Sequence, residues 1–106
     1  MGWTAWDIPG WHDDPKLQAF YKNAFHPELI DDIATYRAQA TRGDEHAGRL
    51  RASLDYLLEQ RPASTKEWWS LTRYSFDSED ELYEYLREVH EFFYGGRTEA
   101  PIAPAP

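Results

Sequence analysis

Ser78 and Glu81 stand three residues apart at the head of a run in which Leu82, Leu86, Val89 and Phe93 recur at i, i+4, i+7 and i+11, and Gly95-Gly96 closes it. Ser-x-x-Glu supplies the two reciprocal side-chain bonds of a helix start, and a glycine pair tolerates the backbone turn that ends one. The segment therefore predicts an amphipathic α-helix. Its apolar stripe has to be buried, so the rest of the chain must supply the surface that covers it.

The same punctuation recurs upstream. Asp14-Pro15 places a capping acid before a proline, which predicts a helix carrying Leu17, Phe20, Tyr21 and Ala24. His26-Pro27 ends it, because a residue before proline is pushed out of the α region. Pro27 then opens a second helix with Leu29, Ile33, Tyr36 and Ala40 along one face. Gly43 fits a C-terminal cap and Asp44 the next N-cap, ahead of a third helix lined by Ala47, Leu50, Leu54, Leu57 and Leu58 and stopped by Pro62. Ser64 and Glu67 form another capping box before Trp68, Trp69 and Leu71. The alternating apolar positions of residues 71–77 leave room for one brief strand. The expected fold class is all-α, a small antiparallel bundle of four to five helices with short connections.

Of the 106 residues, 42% are hydrophobic and 16% aromatic, more apolar area than an unfolded acidic chain carries, which predicts a single folded domain. Residues 1–13 hold Trp3, Trp6 and Trp11 around Pro9-Gly10 and read as an irregular arm against the helical domain 14–96. Residues 97–106, RTEAPIAPAP, have no apolar period and read as a Pro/Ala-rich disordered tail whose removal should leave stability unchanged. The chain has no cysteine, which excludes disulfides, thiol nucleophiles and cysteine-held metals. No run is long and apolar enough to span a bilayer, and MGWTAWDIPGW lacks the basic head and apolar stretch of a secretory signal, so a cytoplasmic location is expected.

Charge is distributed unevenly. Asp77 to Glu91 holds seven carboxylates against the single Arg87, a net of −6 out of the chain's −8. Asp77, Glu79, Asp80 and Glu81 lie where a helix dipole favours acids. Glu84, Glu88 and Glu91 lie beyond its reach, and Glu84 repels Glu88 at i, i+4. These three glutamates, with Tyr83 and Tyr94 interleaved among them, are candidate partner-binding residues, the tyrosines as anchors and the acids as steering charges. Trp69 joins them, since adjacent tryptophans on a helix point about 100° apart and one of the pair should be partly exposed, the other being covered by the N-terminal arm. Tyr83 reads as less easily buried than Tyr85.

The chemistry-bearing residues are dispersed. His12, Asp13 and Asp14, and His26, Glu28, Asp31 and Asp32, are the densest potential ligand clusters, but neither spacing is diagnostic and no Glu-x-x-His occurs. No serine sits in a nucleophile elbow, and the glycines form no phosphate or dinucleotide loop. No catalytic residue, metal or cofactor is assigned.

The functional expectation is thus a non-enzymatic, acidic helical module that binds a basic protein partner. Small, acidic, cysteine-free and rich in candidate surface aromatics, the chain is similar in general composition to bacterial immunity proteins and other nuclease inhibitors, which implies an inhibitory use of the acidic helix. Two alternatives stand beside it. An assembly subunit could pair this helix with the mild basic patch of Arg37, Arg42, Arg49 and Arg51 on a second copy, as a homodimer would, and an aromatic pocket could serve a small-molecule binder or enzyme. Direct nucleic-acid binding is opposed by the net charge.

Overall fold

Asp14 starts the ordered helices. In the computed structural model, which describes residues 7–26, 28 and 30–102, its backbone is extended and its Oδ1 accepts the amides of Lys16 at 3.0 Å and Leu17 at 3.2 Å. Helix α1, Pro15–Ala24, therefore begins as Asp-Pro predicts, and Leu17, Phe20, Tyr21 and Ala24 are all buried. The arm ahead of it is irregular, yet Ile8 and Trp11 belong to the core and Gln18 ties back to the Trp11 carbonyl at 2.6 Å. Trp3, Trp6, Pro27, Leu29 and residues 103–106, all named above, lie outside the described residues.

The regular second helix does not form. A 3-10 segment, Ile30–Tyr36, broken at Asp32, leads into a single α-turn, α2, Arg37–Ala40. Ile30, Ile33 and Tyr36 recur every third residue, and a turn of three residues places all of them on one side. Ile30 and Ile33 are buried, and Tyr36 meets Phe20 edge-on at 5.6 Å.

Helix α3, Glu45–Gln60, is capped by Asp44, whose Oδ1 accepts the Ala47 amide at 2.8 Å, after Gly43 turns at φ +83°. Helix α4, Thr65–Thr72, carries the complete Ser64–Glu67 capping box. In α5, Glu79–Tyr94, Ser78 accepts the Glu81 amide as expected, but the Glu81 carboxylate accepts from Asp77 rather than Ser78, so the second capping box is only half formed. Helices α3 and α4 both end on arginines in the left-handed region, Arg61 at φ 46° and Arg73 at φ 67°. Glycine is the usual occupant of that position. Each guanidinium instead lies over a ring, 4.8 Å from Tyr83 and 4.7 Å from Trp69, a cation–π contact that offsets part of the backbone strain.

Five α-helices and no strand occur among the described residues. The 71–77 run is the end of α4 and a loop that sends Tyr74 and Phe76 into the core. Helix α1 packs against α3 and α4, α3 against α5, and α2 against α3 and α5. At the centre, Phe25 meets Trp68 at 5.2 Å and Tyr85 at 6.2 Å, while Phe20 reaches Phe93 at 6.1 Å. Trp68 is therefore covered by α1. The radius of gyration, 12.7 Å, is that of one compact unit.

Residues 97–102 are irregular, but they are not idle. Ala100 packs on the core, Pro101 is buried, and Arg97 reaches Glu88 at 3.6 Å. Apolar periodicity could not show this, because single prolines and alanines need no repeat to cover a helix. Truncation after Gly96 is therefore expected to lower the melting temperature by about 4–8 °C, the shift that ~1 kcal/mol produces in a domain of this size. A calorimetric scan that leaves the melt in place would show that the segment contributes nothing.

Candidate functional site

The outer face of α5 carries its acids in a definite pattern. Asp80, Glu81, Glu84 and Glu88 line a groove of about 500 Å³ with Tyr85 on its floor, and Ile102, 85% exposed, stands at its edge. Residues 80, 84 and 88 share one helical row, which is why these carboxylates converge. They are partly neutralised from within the chain. Arg87 binds both Glu84 and Glu91, Arg61 binds Asp80 at 2.9 Å, and Arg97 approaches Glu88. The Arg87 hydrogen bond holds the Glu84 carboxyl below the ordinary carboxylate range. Of the candidate glutamates, Glu84 and Glu88 line the groove, while Glu91 does not and is bound to Arg87.

The tyrosines are placed otherwise than the sequence suggests. Tyr83 is only 6% exposed, and its hydroxyl both donates to the Ala63 carbonyl and accepts from the Ala63 amide, each at 2.8 Å. The expectation that it resists burial fails because the segment after α3 folds back over its ring. Burial raises its hydroxyl pKa. Tyr94 is half-buried on another side, facing α2 and α3, with Arg51 over its ring at 5.0 Å and burial pushing its hydroxyl up to about 12. Tyr85 is the aromatic that reaches the groove.

Trp69 is 43% exposed while Trp68 is fully buried. With Lys66 and Phe76 it lines a second cleft. Phe76 packs on Tyr85 at 5.8 Å, so the Trp69 cleft and the acidic groove back onto the same aromatic pair.

Sequence spacing missed a polar network at the N-terminal end of α1. Beyond its capping role, Asp14 accepts at Oδ2 from His46 Nδ1 at 3.0 Å and from Arg49 at 3.3 Å. With Nδ1 carrying the proton toward Asp14, His46 Nε2 is the acceptor for the Gln39 amide at 2.6 Å. Asp14 is 4% exposed. Burial pushes its carboxyl up, the bonds from His46, the Leu17 amide and Arg49 outweigh that, and the net shift is downward. His46 is buried in register with Leu50, Leu54 and Leu57, and that spacing is the one sequence signal that could have found it. Its partner, 32 residues away, left no such signal.

Among the described residues, no three His, Asp or Glu side chains come close enough to hold a metal, and no helix is long and apolar enough to cross a membrane. Of the two clusters noted in sequence, the first is split, Asp14 turning inward while His12 and Asp13 face outward. No protein-family model, curated protein or solved structure matches the chain.

Proposed function

We propose that the protein is a non-enzymatic docking module that takes a basic, partly apolar segment of a partner protein into the α5 groove. One observation carries this reading: four carboxylates converge on a single groove whose edge is an almost fully exposed isoleucine. Carboxylates alone are the ordinary dress of an acidic helix. Beside an uncovered apolar side chain and the Trp69 cleft, they fit a ligand with cations spaced along an apolar strip, the charges speeding encounter and the apolar contact holding the complex. Such a module suits an inhibitor that covers the basic working surface of its target.

A Lys/Arg-rich peptide with one leucine per helical turn serves as the probe. Its NMR shifts are expected to cluster on Tyr85, Glu88 and Ile102. In stopped-flow measurements, E84Q/E88Q/E91Q should slow association and flatten its dependence on ionic strength, whereas Ile102→Ala should chiefly speed dissociation by about tenfold, the kinetic equivalent of ~1.4 kcal/mol. Surface ion pairs contribute little to folding, so the melt of the triple variant should barely move. Unaltered rates in both variants, with a markedly lower melt for the triple change, would assign these carboxylates to the fold's own ion pairs and end the docking reading. Tyr83→Ala does not test it, because that ring supports the chain at Ala63.

A further inference from the structure

In a chain of net charge −8, one cleft is lined by cations and by no carboxylate. It lies between α1, Tyr36, α2 and the start of α3 and has a volume of about 350 Å³, within the size range of small-molecule sites. Lys16, Phe20 and Asn23 come from one row of α1, and Gln39, Arg42 and His46 close the other side. Neither Lys16 nor Arg42 forms an ion pair among the described residues. The carboxylate whose field they share is Asp44, which is committed to the Ala47 amide as the α3 cap. His46 is fixed from behind by Asp14, and the amide of Gln39 is fixed in turn by His46.

The cleft therefore presents two cations and two side-chain amides over a partly apolar wall formed by Ala19 and the Tyr36 ring. A concave site of one sign concentrates counter-ions, and donors held by a second layer of hydrogen bonds lose little freedom when they bind. We propose that this cleft binds a small organic anion, with its carboxylate or phosphate between Lys16 and Arg42 and its apolar part against Ala19 and Tyr36. The site is independent of the α5 groove and involves none of its residues.

Titration of the full chain with phenyl phosphate, benzoate and inorganic phosphate, followed by NMR, tests this. One of the two aryl anions is expected to give saturable shifts confined to Lys16, Asn23, Gln39, Arg42 and His46, and the tighter of them identifies the head group. Lys16→Gln with Arg42→Gln, both at exposed positions, should weaken that binding about tenfold or more, as loss of charge-assisted bonds does, without moving the melt. Absence of saturation by either aryl anion, shifts that persist in the double variant, or equal affinity for inorganic and phenyl phosphate would overturn the assignment.

Discussion

Trp68→Ala is expected to destabilise the fold by about 3–5 kcal/mol, the range for removing a large aromatic from a packed core, whereas Trp69→Ala should cost no more than about 1 kcal/mol. The two residues are neighbours in sequence and opposites in structure. Trp68 is sealed between Tyr21 at 6.3 Å and Phe25 at 5.2 Å, and its loss would leave a cavity where α4 joins α1. Trp69 gives up one exposed cation–π contact with Arg73. Trp68→Phe should recover much of the loss, because the indole N–H has no hydrogen-bond partner among the described residues and a phenyl ring forfeits no bond there. Urea denaturation of the three variants at constant m decides the matter. Equal losses for the two alanine variants would mean that α4 is rotated relative to this packing.

What the sequence revealed, and what it hid, follows from the range of the interactions. Caps and stripes act within a few residues, so the starts at Asp14, Asp44, Ser64 and Ser78 and the inward faces of α1, α3 and α5 were readable. The 3-10 segment was hidden because Ile33 and Tyr36 satisfy either period, and the choice between them is made by Phe20 from another helix. Arg61 and Arg73 take a backbone conformation that local propensity assigns to glycine, and the rings that compensate lie outside the local window in the case of Tyr83. The candidate site was half legible for the same reason. Charge density along α5 pointed to the groove, while its apolar edge depends on how Pro101 and Ile102 return across the helix. The cationic cleft assembles from two stretches of chain, 16–23 and 36–46, and no spacing within either announces that they converge.

Asp14→Ala is expected to cost about 2–4 kcal/mol, because one substitution removes an N-cap, worth ~0.5–2 kcal/mol, and strips an acceptor from a buried histidine donor, worth ~1–3 kcal/mol. Asp14→Asn separates the two roles. The amide oxygen can still cap α1, so the loss should be smaller, but the negative charge that faces His46 and Arg49 is gone. The acid limb of stability then carries the signature. A carboxyl whose folded pKa is depressed binds its proton more readily in the unfolded chain, so its contribution is present above the unfolded value of about 3.9 and is lost as pH falls through the lower folded value. Asp44 and Glu84 are shifted in the same direction, through the Ala47 amide and Arg87 respectively, and they persist in the variant. Melting temperatures between about pH 2 and pH 6 should therefore fall less steeply for Asp14→Asn than for the native chain. Parallel curves would show that the Asp14 carboxylate contributes no charge-dependent stability, and His46 would then be held by packing alone. Because His46 orients Gln39 at the cleft wall, the same variant should also shift the Gln39 side-chain amide resonances, a change that loss of capping alone would not produce.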